Sequence, residues 1–88
     1  MENPMNGQNS SLHIIADSDG AAILDVERGL ISTLNATGSF IWQSLKRGES
    51  PSEIAASLAK QTGEDPLVVE RDVEAFIDDL KHRNLMPQ

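Results

Sequence analysis

Two groups of turn residues, Asp17-Ser18-Asp19-Gly20 and Glu27-Arg28-Gly29, cut the segment from Leu12 to Leu34 into three short apolar pieces. Asp and Ser side chains bond nearby backbone and Gly admits positive φ, so both groups read as tight connections. The pieces are Leu12-His13-Ile14-Ile15-Ala16, Ala21 to Val26, and Leu30 to Leu34. They carry β-branched residues without helical spacing and read as strands. Connections this short join sequential strands as antiparallel hairpins, so the three form a meander. In the third strand Leu30, Ser32 and Leu34 share one face, and Ile31 and Thr33 the other. The face with Leu30 and Leu34 is expected to meet the helices that follow.

Each of those helices is announced by capping chemistry. Asn35 sits where an N-cap belongs, and Gly38, Ile41 and Leu45 recur at helical spacing, with Gly48 closing the helix. Ser50-Pro51-Ser52-Glu53 combines a cap, a proline at the first helical position and a capping-box glutamate. This second helix should bury Ile54, Ala55, Leu58 and Thr62 and end at Gly63. Asp65-Pro66 opens the third, whose stripe Val69, Val73, Phe76 and Leu80 keeps four apolar residues on one side. Asn84 is the expected stop, after which Leu85-Met86 folds back onto the core. Phe40 lies ~100° from the Ile41 side of its helix; an exposed aromatic is the default for it, with a sheet-edge cover or a dimer contact as alternatives.

Strands first and helices after indicate an α+β domain, with the helices on one face of a small sheet. The segment Met1 to Ser11 is rich in Asn, Gly, Ser and Gln and is expected to stay disordered, leaving residues 12–88 as one domain. Phe40, Trp42 and Phe76 are the only aromatic residues, so the core is mostly aliphatic.

Composition excludes several functions. There is no cysteine, which removes disulfides, thiol catalysis and thiolate metal sites. Fourteen acidic residues against seven basic ones give a formal charge of −7. Nucleic-acid binding draws on Lys and Arg to neutralise phosphates, so this balance argues against it. No apolar run approaches the ~20 residues needed to span a bilayer, and the N-terminus lacks the apolar core of a signal peptide. The expected protein is cytoplasmic, binds neither membrane nor nucleic acid, and is a monomer or weak dimer.

No active site is legible. His13 falls in a strand and His82 near the end of the last helix, with nothing pairing them. Glu70, Asp72, Glu74, Asp78 and Asp79 are interleaved with Arg71, Lys81 and Arg83, the pattern of a solvated helix face. No phosphate loop, HExxH motif or zinc spacing occurs, and no cofactor is implied. Two helices after a strand hairpin suggest a winged helix-turn-helix. A DNA reader of that class carries cations on its recognition helix, whereas Pro66 to Arg83 holds five acids against three fixed bases.

Peptide capture remains. From Gly29 to Trp42 no side chain is charged. Edge strands are ordinarily protected by charge or proline, because their unpaired backbone groups recruit other chains. An unprotected edge at Leu30 to Leu34 is suited to accept a guest peptide as an added strand beside the last helix. Two readings stay open on pattern alone: a docking edge, or apolar residues that merely complete the core. The same edge could instead pair two copies of the chain.

Several pieces taken in order carry a resemblance. Leu24-Asp25, Gly29, Leu34-Asn35-Ala36-Thr37-Gly38, Ile41-Trp42, Glu53-Ile54-Ala55 and Asp72-Val73-Glu74-Ala75-Phe76 together resemble the PqqD-like family, over about Ala21 to Met86. That resemblance implies a winged helix-turn-helix-like domain and a non-catalytic peptide chaperone. Such a domain binds the leader of a ribosomally made precursor peptide as a fourth strand and presents the core peptide to an enzyme. The implied partners are the leader and either a leader peptidase, as in lasso-peptide synthesis, or a radical SAM modifying enzyme, as in pyrroloquinoline quinone synthesis. The lasso type is favoured slightly, the chain being discrete and equipped only for leader binding. Carried over by position, Leu30, Ile31, Ser32, Thr33 and Leu34 supply the pairing edge, and Val69, Asp72, Val73, Phe76 and Ile77 the helix side. Leu24, Asp25, Asn35, Thr37, Gly38 and Trp42 hold the fold.

Overall fold

The computed structural model describes residues 12–87; the N-terminal segment expected to be disordered lies outside them. Strands β1 (Leu12–Asp17), β2 (Gly20–Asp25) and β3 (Leu30–Asn35) form an antiparallel sheet in the order β1-β2-β3. Helices α1 (Ala36–Lys46), α2 (Pro51–Thr62) and α3 (Pro66–His82) follow. The architecture is the α+β, winged-helix-like arrangement expected from the order of elements. None of the helices is long and apolar enough to cross a membrane.

The turns form for the reasons their residues supply. Asp17 Oδ1 accepts the Asp19 and Gly20 N–H groups at 2.8 and 3.2 Å. A Cβ at Gly20 would overlap the Leu34 carbonyl oxygen, so β2 and β3 can approach only with glycine there. In the second connection Gly29 adopts φ 66°. Register places Leu12, Asp25 and Leu30 in one row, then Ile14, Ile23 and Ser32, then Ala16, Ala21 and Leu34. Alternation puts all three rows on one face, and full burial of Ile23 identifies it as the helix-facing one.

Helix boundaries follow the caps. Asn35 Oδ1 accepts the Gly38 N–H at 2.8 Å. Ser50 Oγ accepts the Glu53 N–H at 3.1 Å while Glu53 Oε1 accepts the Ser50 N–H at 2.8 Å, completing the capping box. Asp65 Oδ1 accepts the Leu67 N–H at 2.9 Å. At the end of α3, Asn84 takes the left-handed conformation at φ 57°. The Leu85 N–H then donates to the Leu80 carbonyl at 2.9 Å and the Asn84 N–H to Lys81 at 3.2 Å. These are the paired bonds of a Schellman ending, and Leu80 and Leu85 make its apolar contact in one core cluster. The predicted fold-back of Leu85-Met86 is this ending.

Two core clusters result. One joins the three helices through Ile41, Ile54, Ala55, Leu58, Ala59, Val69, Val73 and Ile77. The other joins the sheet to α1 and the end of α3 through Ile23, Trp42, Leu80 and Leu85. Trp42 is buried, and its Nε1–H donates to the Leu85 carbonyl at 2.7 Å, so the ring's one polar atom is satisfied. Leu45, Phe76 and Met86 pack against both clusters.

Three packing expectations are corrected. In α2 the fourth buried position is Ala59, whereas Thr62 is exposed with its hydroxyl donating back to the Leu58 carbonyl at 2.9 Å. In α3 the buried stripe is Val69, Val73, Ile77 and Leu80, and Phe76 is only half-buried. Phe40 is not a freely exposed aromatic: it is half-buried against the helical cluster.

Candidate functional site

β3 is a sheet edge with no charged residue, and its helix-facing side is incompletely covered. Leu30 lies in the inward row yet keeps 52 % of its surface exposed; Ser32 and Leu34 are half-buried. Phe76 on α3 packs, like Leu34, against the cluster of Ile23, Trp42, Leu80 and Leu85. Its ring rests against Gly38, where an added Cβ would lie 3.1 Å from the ring carbons. Glycine in α1 therefore leaves the space that the Phe76 ring occupies. Leu30, Leu34 and Phe76 thus make an incompletely buried apolar strip on the helix-facing side of the domain.

The opposite face of β3 is also apolar. Ile31 is 68 % exposed and shares its row with Leu24 and His13, while Thr33 shares the next with Ala22 and Ile15. A strand added to β3 would thus extend an uncharged surface on one side and line the strip on the other.

Beyond the end of β3 the three helices converge on a pocket of about 130 Å³. Its floor is made by the buried Ile41, Leu58, Val69 and Val73; the exposed Thr37, Thr62, Glu64 and Asp72 form its rim. Of the residues expected on the helix side, Asp72 and Phe76 present accessible surface. Val69 and Val73 are buried but line this pocket, and Ile77 is 6 % exposed and lies in the helical core. Thr37, Ile41, Leu58, Thr62 and Glu64 escaped the reading of the chain as pocket residues. Two helices and the link before α3 supply them, and only the spacing of Thr37 and Ile41 on α1 carried any local sign.

Near the open end of the strip, Asp25 anchors the turn between β2 and β3. Its Oδ2 accepts Arg28 Nε–H at 2.8 Å and its Oδ1 the Arg28 N–H at 3.1 Å. These bonds from Arg28 hold the carboxyl below its ordinary value of 3.8. Arg28 Nη2 also donates to the Arg83 carbonyl at 2.8 Å, joining the turn to the end of α3. The two ends of the strip's frame are thereby fixed to each other.

Chemistry beyond binding finds no constellation. Among the described residues no group of three or more His, Asp or Glu is arranged to hold a metal ion. His13 is exposed on the outer sheet face, and His82 Nδ1 lies 2.8 Å from the Asp78 carbonyl oxygen of its own helix. The two histidines do not meet.

Comparison with known proteins finds a family and two solved structures similar to this chain. The family model described as coenzyme PQQ synthesis protein D (PqqD) matches residues 20–86. A structure of TbiB1 in complex with the TbiA(beta) leader peptide superposes with a TM-score of 0.78 at 29% sequence identity, covering 85% of this chain and 87% of that one. A lasso peptide synthetase B1 complexed with the leader peptide gives 0.76 at 29% identity, covering 83% of this chain and 86% of that one. No curated protein sequence matches significantly.

Proposed function

The chain belongs to the PqqD family, and from that premise we propose that it is a non-catalytic chaperone for a ribosomally synthesised precursor peptide. It captures the leader segment as a fourth strand on β3 and presents the attached core peptide to a processing enzyme. The observation that carries this reading is the uncharged β3 edge beside an incompletely buried apolar strip, with Leu30 exposed and Phe76 half-buried where a guest would lie. Unpaired backbone groups on β3 supply hydrogen bonds indifferent to guest sequence, and the strip selects alternate side chains. Leu30, Ser32 and Leu34 face the guest's inward side chains, with Phe76 and Asp72 on the far wall. Val69 and Val73 contribute the floor of the adjoining pocket, and Ile77 supports the helix from behind.

Both solved relatives carry a leader peptide, one of them in a lasso peptide synthetase, which supports a leader peptidase as the processing partner. The family model's description, coenzyme PQQ synthesis, supports a second reading: service to the radical SAM enzyme that the family resemblance implies. A DNA-binding role is disfavoured by the charge of −7. The reading is tested by searching the neighbouring genes for a short precursor with a leader peptidase and titrating this protein with that precursor's leader. Binding at micromolar or tighter affinity is expected, together with faster leader removal by the neighbouring peptidase when this protein is present. A leader that is processed at the same rate without this protein contradicts the proposal.

A further inference from the structure

The pocket at the convergence of the helices begins where β3 ends, since its rim residue Thr37 stands two positions after Asn35. A guest paired along β3 and continuing past Asn35 brings one of its side chains over this opening. About 130 Å³ accommodates one side chain and is well short of the roughly 300–1,000 Å³ of small-molecule and cofactor sites. The floor formed by Ile41, Leu58 and Val73 is apolar. The rim is not: Glu64 and Asp72 both line it, no Lys or Arg does, and neither carboxylate belongs to an ion pair among the described residues. The N-terminal ends of α1 and α3 contribute about half a positive charge each, which two full carboxylates outweigh.

We infer that this pocket takes a lysine or arginine side chain of the captured strand, its aliphatic stem against Ile41, Leu58 and Val73 and its cation between Glu64 and Asp72. The inference rests on the strand-capture reading and names the guest's chemistry. Lys and Arg suit such a site because their stems bury against apolar surface while the charged head stays at the opening. A purely apolar anchor would cover the two carboxylates without offering them a partner, a cost that a cation removes.

The test is selection of binders from a random peptide display library on the full chain, followed by amide chemical-shift mapping of each selected peptide. Peptides that move the β3 amides are expected to share one Lys or Arg at a fixed position. Replacing that residue by norleucine, or combining Glu64→Gln with Asp72→Asn in the protein, should weaken binding about tenfold and flatten its dependence on salt. If β3 amides shift while the double substitution leaves affinity unchanged, or the shared position is apolar or acidic, the pocket assignment is overturned and strand capture stands. Binders that leave the β3 amides unmoved, or a selection yielding no binder, overturn both.

Discussion

The sheet has two edges, and they are not equivalent. β1 and β3 flank the same central strand, and Leu12 and Leu30 stand on either side of Asp25 in one row. Leu12 is half-buried against the core cluster that holds Trp42 and Leu80, whereas Leu30 keeps 52 % of its surface exposed. β1 ends in Asp17, a charge of the kind that discourages pairing, while β3 carries none along its length. On the inner side of β3, Leu34 packs against the same cluster as Phe76, whereas Leu30 at the start of the strand stays largely uncovered. An edge becomes a docking site when its backbone is unpaired and its inward side chains lack a neighbour. Of the two edges, β3 is the one that combines an uncharged strand with a largely exposed inward leucine.

The largest expected effect comes from removing the wall of the strip. Phe76→Ala should cost ~3 kcal/mol of stability, the low end for an aromatic truncation because the ring is only half-buried. It should also lose leader binding at temperatures where the protein remains folded. Urea denaturation gives the first quantity and calorimetric titration the second; stability loss with unchanged affinity would place the guest elsewhere.

A smaller change tests the same wall from the other side. Gly38→Ala puts a methyl group 3.1 Å from the Phe76 ring, so the ring must shift by a few tenths of an ångström. Overpacking of this kind is expected to cost ~1–2 kcal/mol, with leader affinity reduced and the β1 amides left where they were in an NMR spectrum.

The two leucines make the comparison most directly. Leu30→Ala should lower leader affinity by ~1 kcal/mol and stability by less, because much of its surface is already in water. Leu12→Ala should do the reverse, lowering stability with affinity unchanged. Equal effects of the two on affinity would erase the distinction between the edges.

The mildest expectation concerns pH. Arg28 depresses the folded-state pKa of Asp25 below 3.8, so the stabilisation is fully present above that unfolded value. It is lost as pH falls from about 4 through the folded value. Thermal melts of Asp25→Asn should therefore lack this part of the acid-side decline, and the turn joining β2 to β3 should no longer be held to the end of α3.

Much of this fold was legible because its signals are local. Asn35, Ser50 with Glu53, and Asp65 with Pro66 mark helix starts through bonds that span only two or three residues. The paired turns fixed the meander for the same reason. What escaped depends on neighbours distant in sequence. A helical period admits Phe76 or Ile77 to the stripe almost equally, and the Phe76 ring packs over a glycine on another helix. Ala59 displaced Thr62 from the core because the threonine hydroxyl bonds to its own helix. The pocket was invisible for a similar reason: α1, α2, α3 and the link before α3 each supply only part of it. The β3 edge was legible as an absence of charge, but its open inner side was not.

Backbone amide chemical shifts, recorded while the neighbouring leader peptide is added to the isotope-labelled protein, test the central claim most directly. Strand addition to β3 predicts the largest movements at Leu30 to Asn35, with alternate amides newly protected from exchange, and companion shifts at Asp72 and Phe76. Shifts confined to Leu12 to Asp17, with β3 unmoved in a saturated complex, would contradict it.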